Sequence, residues 1–305
     1  IHALMRDAMN ADALNSLLVS GQPHHLIHVL PEEIHEACHI PGSCGICVYE
    51  TAFLGRVKEL VPDTNSTIVL YGAGDGSCDS RAAAEKLKAA GYSNVMELDG
   101  GVTAWRNAGY PVKGHGKIPE APVIDGFYQV NAAESLIRWT GRNLFNHHHG
   151  TVKLASGEIT AAAGVLKSAR FVVDMTSIAC EDLTDATWNE MLIRHLQDWD
   201  FFETKVHPTA IFVVDSADPI PGASDGTPNH LLKGSLTLRG VTKPLEFPAV
   251  IAIADGSRVT GQAQIEIDRT DFGSIYGSSR FFRFLGKHVV NDHIQLHLKI
   301  HADAV

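Results

Sequence analysis

Residues 66–90, STIVLYGAGDGSCDSRAAAEKLKAA, combine residue types that could carry out chemistry. The β-branched, apolar run at 67–71 predicts a buried strand of a parallel sheet, and a helix is expected from an N-cap at Asp79 or Ser80 to a stop at Gly91. A loop between such elements directs backbone N–H groups at one point, which creates an anion site without a cationic side chain. The residues predicted to form that site are Gly72, Ala73, Gly74, Asp75, Gly76, Ser77 and Ser80.

Cys78 is the thiol within this loop. Just before a helix N-terminus the pKa of a thiol falls, so Cys78 could serve as a nucleophile. The alternative is an ordinary cysteine on the rim of the loop, and it is favoured because geometry decides nucleophilic competence. The anion site has an alternative occupant too, since a carboxylate of Asp75 or Asp79 could fill it from within.

A dinucleotide site is a weaker alternative for the same loop. GAGDG lies between a strand and a helix, and Glu97 lies at the end of the next predicted strand, where an acid would bind a ribose. However, the spacing is G-x-G-x-G rather than G-x-G-x-x-G. We therefore predict no cofactor.

A second cluster of thiols, at Cys44 and Cys47 with Cys38 and His39 upstream, resembles part of a zinc or redox site. Residues 46–49 are expected to be extended, so the two sulfurs would point to opposite faces. The chain has no second CxxC to complete a ligand set. These are predicted to be packing cysteines, with no bound metal.

The elements around the loop belong to a chain of 305 residues, a length typical of two domains. Residues 1–113 alternate short apolar strands with helices, which predicts an α/β domain with a parallel sheet. Residues 114–124 are predicted to be a linker because they lack periodicity. Residues 125–305 alternate with a period of two, apart from a helix at 185–199, which predicts an antiparallel sheet or barrel.

Composition and charge exclude several classes of function. The net charge of −10 argues against binding to nucleic acid or to an anionic membrane as the main function, because both need a basic face. No apolar run is long enough for a transmembrane helix, and residues 1–18 have the pattern of an amphipathic helix rather than of a signal peptide. Five cysteines, an odd number, suit a reducing compartment, so the cytoplasm is expected. Homodimerisation is left open.

Three segments of residues 10–113 resemble the rhodanese family: LIHVLPEEIHEACHIPG, the loop and its flanking elements, and LDGGVTAWRNAGYPV. The resemblance implies a loop whose catalytic cysteine carries sulfur as a persulfide, stabilised by the loop amides. Two positions depart from the family pattern. Gly72 stands where that cysteine is expected, and His28-Val29-Leu30 replaces an Asp-Val-Arg triplet. Glycine cannot hold sulfur, so transfer by the usual route is not expected.

Residues 126–305 resemble the YceI-like family, a lipocalin-like barrel, in FVVDMTSI, HLQDWDFFETKVHPTAIF, GSLTLRGVTKPLEF, IDRTDFGSIYGS and DHIQLHLKI. The resemblance implies that the barrel binds a hydrophobic amphiphile that is isoprenoid, quinone or lipid-like. The expected contacts of its apolar chain are Phe201, Phe202, Phe212 and Tyr276.

Polar residues could cap such a barrel. His147 and His149 share a strand face, and they could form a polar cap or a metal site or lie in solvent. Arg280 and Arg283 could face a ligand headgroup, or the rings of Phe281, Phe282 and Phe284 could lie in the core while these cations lie in water. His293, His297 and His301 recur every four residues along the last strand, too far apart for one ion, and are predicted to be solvated.

Three classes of function are considered, and the complete set of barrel motifs argues against the third, a scaffold without a ligand. The favoured one is a binding protein, with an amphiphile in the barrel and a rhodanese-like domain that binds an anion or a partner without catalysis. The alternative is a sulfurtransferase that uses Cys78 as nucleophile, with a lipid-like acceptor in the barrel.

Overall fold

The structure is a computed structural model and describes residues 7–74, 76–116, 123–254 and 257–305. The chain divides into two compact units, residues 1–121 and 122–305. Asp75, residues 117–122 of the predicted linker and a turn predicted at 255–256 lie outside the described residues. The domain bounds 1–113, 114–124 and 125–305 therefore stay predictions.

The first unit is a five-stranded parallel sheet in the order β1-β5-β4-β2-β3 with helices between its strands. The first five elements are β1 (Ala8–Met9), α1 (Ala11–Ser20), β2 (His25–His28), α2 (Glu32–Ala37) and β3 (Cys44–Gly45). They are followed by α3 (Phe53–Leu60), β4 (Ile68–Tyr71), α4 (Asp79–Ala89), β5 (Val95–Leu98) and α5 (Gly101–Asn107).

The central strand β4 is buried along its whole length because both of its faces are covered. Ile68 and Leu70 belong to a core with α3 and α4, whereas Val69 and Tyr71 belong to a second core with α1 and α5. This explains why β4 is a continuous apolar run rather than an alternating one. The predicted parallel sheet is confirmed.

Three local predictions in this unit were wrong. Helix α4 has Cys78 as its N-cap, and Asp79 is its first helical residue. Residues 48–49 form a turn, so the segment predicted to be extended over 46–49 is not extended throughout. The helix predicted over residues 1–18 begins only at Ala11, after strand β1, and residues 1–6 lie outside the described part of the chain.

The second unit is a closed antiparallel barrel with one α-helix and two short 3-10 helices among its described residues. Its first elements are β6 (Gly126–Val130), β7 (Leu136–Arg142), β8 (His147–Ala162), β9 (Val165–Cys180) and α6 (Ala186–Gln197). The remaining strands are β10 (Thr209–Pro219), β11 (His230–Leu238), β12 (Val241–Ala254), β13 (Arg258–Asp268) and β14 (His293–Ala304).

Pairing of β13 with β14 closes the barrel, and β6 and β7 share one position between β8 and β14. The described strands thus fill eight positions, and the predicted barrel is confirmed. The connections that contain α6, the β7–β8 turn, the β11–β12 turn and residues 269–292 all leave the same end of the barrel, here called the loop end. No helix in the described ranges is long and apolar enough to cross a membrane.

Candidate functional site

The barrel encloses a cavity of about 230 Å³. Inward-facing side chains of every second residue form its walls, as the alternation of β14 shows with Ile294, Leu296, Leu298 and Ile300. An apolar cavity of about 150 Å³ is large enough to stay dry and bind benzene. The wall is apolar along almost its whole surface, and it includes Trp139, Leu154, Phe171, Val173, Leu196, Leu236, Leu245, Phe247, Ile251 and Ile265.

Three of the four predicted aromatic contacts lie in this wall. Phe201 and Phe202 follow α6 and are held by hydrogen bonds from their amides to the carbonyls of Asp198 and Leu196. Their rings meet edge to face, with centroids 4.9 Å apart and an angle of 74° between the ring planes. Phe212 on β10 also lines the cavity, with its ring centroid 5.5 Å from that of Phe247.

The fourth residue, Tyr276, packs against the core but is not among the described residues that line the cavity. Its ring contacts His195 at 4.4 Å and lies 6.5 Å from Phe201. Tyr276 therefore supports the wall from behind, and its role as a ligand contact stays a prediction.

Arg269 is the charged residue of the lining, and sequence reasoning missed it. Its side chain is fully buried, and its nitrogens donate to the carbonyl oxygens of Asn291 at 3.0 Å, Ser274 at 2.6 Å and Val290 at 3.2 Å. The guanidinium also lies 5.1 Å from the centroid of Phe201. Burial lowers the pKa of Arg269 although Asp292 and Asp268 oppose that change. Arg269 belongs to the segment IDRTDFGSIYGS, whose resemblance to the YceI-like family was the sequence feature that could have identified it.

The predicted polar cap lies outside the described lining of the cavity. His147 and His149 stack at 6.1 Å at the start of β8, where His147 is exposed and His149 half-buried. Arg280 donates to Asp268 at 2.6 Å, and Arg283 is exposed. No cluster of three or more potential metal ligands occurs within the described ranges.

Two glycines leave parts of the cavity open. Gly141 on β7 and Gly261 on β13 both line it, and neither has a positive φ. A Cβ at Gly141 would meet no atom within 4 Å, and one at Gly261 would meet only the Cβ of Ile300, at 3.9 Å. A larger side chain at either position would therefore extend into free space.

In the first unit, the carboxylate of Asp79 occupies the space beside Gly72. A Cβ added to Gly72 would lie 2.6 Å from the Cβ of Asp79 and 2.7 Å from its Oδ2. The amide of Ala73 donates to Oδ2 at 3.2 Å, and the hydroxyl of Tyr49 donates to Oδ1. Burial alone would raise the pKa of Asp79, but these hydrogen bonds and one with Ser77 hold it below its ordinary value. One loop amide thus already serves an internal anion.

His28 occupies the start of the predicted His-Val-Leu triplet. It is fully buried, stacks on Tyr71 at 4.4 Å and places its Nδ1 3.2 Å from the Nδ1 of His35. Burial, with His35 and His39, lowers the pKa of His28 to about 3. The ring is therefore neutral at physiological pH. It packs against Tyr71 at the end of β4 and adds no positive charge there.

The other loop residues lie as follows. Ser80 donates to Glu97 at 2.9 Å, which engages the acid considered for a dinucleotide. Cys78 is exposed, as is Cys44, whereas Cys47 is buried. The backbone of Gly101, at the start of α5, packs directly on the loop. The amide of the next residue, Val102, donates to the carbonyl of Gly72 at 3.0 Å. The roles of Cys78 and of the loop as an anion site stay predictions.

Comparison with known proteins agrees with this geometry. The family description of the YceI-like domain matches residues 128–302, which is more than half of the chain. The chain belongs to the YceI-like family. Residues 10–108 match the rhodanese-like domain, so both resemblances drawn from the sequence are confirmed.

Individual relatives match this YceI-like chain over part of its length. An HTH-type transcriptional regulator of Mycobacterium tuberculosis is 36% identical over 96 residues, which are 30% of this chain and 40% of that protein. The chain thus spans two fifths of that relative. The structure of BcnA from Burkholderia cenocepacia is 21% identical, with a TM-score of 0.45 over 56% of this chain and 98% of that one. A polyisoprenoid binding domain from Saccharophagus degradans is 14% identical, with a TM-score of 0.43 over 58% and 98%.

Proposed function

We propose that the barrel binds the apolar chain of an amphiphile, of isoprenoid or quinone type, and that the rhodanese-like domain does not transfer sulfur by the usual route. The observation that carries the first part is the 230 Å³ cavity with its nearly continuous apolar wall. Each methylene that leaves water for this wall contributes about 0.8 kcal/mol, so a chain of about ten carbons already offsets the usual ordering costs.

The length of the cavity lining supports a chain rather than a compact ligand. Lining residues come from both ends of the strands, with Leu166 and Val259 near one end and Arg269 and Asn291 at the loop end. An extended apolar chain would contact all of them at once. Gly141 and Gly261 keep space for it where side chains would otherwise meet.

The proposal can be tested with substitutions that fill part of the cavity with a new side chain. Gly261→Leu and Gly141→Leu place a side chain inside the cavity, so we expect each to weaken binding of farnesol or geranylgeraniol by about tenfold or more. Gly55→Leu, on α3 of the other unit, is the matched control because a Cβ there also meets no atom within 4 Å. Affinities come from isothermal titration calorimetry, and mass spectrometry under native conditions shows whether an apolar ligand co-purifies. Binding unchanged in both cavity variants would contradict the proposal.

The second part is supported by Gly72 and by the Asp79 side chain that lies against it. Wild-type protein is expected to show no thiosulfate:cyanide sulfurtransferase turnover. The Cys78→Ser variant decides the alternative, because turnover that this change abolishes would establish Cys78 as the nucleophile. Turnover that survives the change would contradict both assignments.

A further inference from the structure

An exposed aromatic segment lies at the loop end of the barrel. The connection between β13 and β14 contains a loop, residues 278–289, that is closed at its base by a 2.9 Å hydrogen bond from the amide of Val290 to the carbonyl of Gly277. On this loop the side chains of Phe281 and Phe282 are about half exposed, and Phe284 is fully exposed. Scattered single apolar residues are ordinary on a protein surface, but three rings within four residues form a patch.

A second exposed apolar pair lies beside this loop. Leu144 and Phe145, in the β7–β8 turn, are 59% and 81% exposed. The two segments are joined at their bases, where Asn143 forms an antiparallel bridge with Val290 and the amide of Asn291 donates to the carbonyl of Arg142 at 2.8 Å. The loop and the turn, residues 278–289 and 143–146, together form what we call the aromatic rim.

The rim carries positive charge between its rings. Residues 278–290 contain Arg280, Arg283 and Lys287 and no acidic residue, in a chain whose net charge is −10. Arg280 is held by Asp268, whereas the side chains of Arg283 and Lys287 are exposed. Exposed rings alternating with cations are the residue types that enter the interface of an anionic bilayer, where rings reach the acyl boundary and cations meet the headgroups.

The rim adjoins the cavity. Val290 and Asn291, where the loop ends, are both part of the cavity lining, and so is Gly141 just before the β7–β8 turn. A long apolar chain is nearly insoluble in water and resides in a bilayer, so a protein that collects one must meet a membrane surface. The remaining negative charge does not prevent this contact, because charges beyond about 8–10 Å are largely screened at physiological ionic strength.

We propose that the aromatic rim docks the barrel reversibly on the surface of an anionic membrane, with its rings in the interface and its cations on the headgroups. This role rests on the proposed binding of an apolar chain, which would pass between the membrane and the cavity beside the rim. The proposal concerns attachment to the bilayer surface alone.

The test is co-sedimentation with vesicles of phosphatidylcholine, with and without phosphatidylglycerol. Wild-type protein is expected to bind the anionic vesicles more tightly, and less so at high salt. Phe281→Ser/Phe284→Ser should weaken that binding by roughly tenfold or more. Arg283→Gln/Lys287→Gln should weaken it by about fivefold per cation and remove the preference for phosphatidylglycerol. Phe127→Ser is the ring control, because Phe127 is exposed at the opposite end of the barrel.

The outcomes separate this proposal from the proposed ligand. Gly261→Leu should lose isoprenoid binding and keep vesicle binding, whereas the Phe281/Phe284 variant should keep isoprenoid binding and lose vesicle binding. Wild-type protein that fails to bind either vesicle, or a Phe281/Phe284 variant that binds like wild type, would overturn the docking role. So would a wild-type dimer that this variant converts to monomers in sedimentation velocity, since the rim would then be an interface between two copies.

Discussion

At the scale of single residues, the rhodanese-like loop combines two changes that support each other. Gly72 removes the side chain that would carry sulfur, and Asp79 places its Cβ and carboxylate where that side chain would extend. The hydrogen bonds from Ala73 and Tyr49 then hold this carboxylate in its charged form. An external anion would have to displace Asp79 before it could use the same amide, so the predicted anion site has an internal competitor.

Restoring the thiol should therefore require two substitutions. Gly72→Cys alone is expected to lower the free energy of unfolding by about 1–3 kcal/mol, because its Cβ meets that of Asp79. It should form little persulfide. Gly72→Cys/Asp79→Gly removes the opposing Cβ and the negative charge, so its thiolate should accept the outer sulfur of thiosulfate, with sulfite as the leaving group. Intact-protein mass spectrometry detects the added sulfur atom.

A third variant separates the steric effect from the charge effect. Gly72→Cys/Asp79→Ala removes the carboxylate but keeps the Cβ that lies 2.6 Å away, so it should fall between the other two. Equal persulfide yields in the single variant and in Gly72→Cys/Asp79→Gly would show that Asp79 does not obstruct this position. Chemical denaturation of all three proteins reports whether any loss of persulfide reflects unfolding.

At the scale of elements, Asp182 fastens the start of β8 to the end of β9 at the loop end of the barrel. Its Oδ1 accepts the amide of His149 at 2.8 Å and the thiol of Cys180 at 3.3 Å, and its Oδ2 lies 2.9 Å from the Nδ1 of His148. Burial alone would raise the pKa of Asp182, but these hydrogen bonds outweigh it and lower the pKa to about 2. The charged form is thus the one that the fold stabilises.

Asp182→Asn should lower the free energy of unfolding at neutral pH by on the order of 2 kcal/mol, from the difference between the ordinary and lowered pKa values. A carboxylate whose folded-state pKa is depressed contributes fully above its unfolded pKa and loses that contribution as the pH falls towards about 2. The difference between wild type and variant should therefore shrink between pH 4 and pH 2.

Urea unfolding at several pH values measures this difference. Asp225→Asn is the matched control, because Asp225 lies in the exposed β10–β11 turn. A stability difference for Asp182→Asn that stays constant down to pH 2 would show that the carboxylate charge is not what fastens the two strands.

The elements also show what could and could not be predicted from the sequence. Strand β14 alternates without interruption, so the sequence alone could assign His293, His297 and His301 to its outward face. Strand β8 is harder to predict along its full length, because its pairing with β9 shifts register at three places and each bulge resets the alternation that a sequence pattern relies on. Arg269 was missed for a different reason. A buried guanidinium is recognised by the carbonyl groups around it, and two of these, from Val290 and Asn291, lie 21 and 22 residues away along the chain.

At the scale of the whole molecule, each unit has its own hydrophobic core. The barrel core draws its residues from Ile124 to Ala302, and the two cores of the parallel sheet draw theirs from Ala11 to Trp105. No described core cluster contains residues of both units. A core that closes within one unit is the condition for that unit to unfold as a cooperative domain.

We therefore expect two unfolding transitions in differential scanning calorimetry, of which only one responds to an apolar ligand. A ligand that binds the folded barrel at about one hundred times its Kd stabilises that barrel by about 2.7 kcal/mol and should leave the transition of the rhodanese-like unit unchanged. With geranylgeraniol as the probe, Gly261→Leu should abolish the shift, and Gly72→Cys should move only the other transition. A single transition, or a ligand shift shared by both, would show that the two units unfold together and that the cavity cannot be treated as a property of the barrel alone.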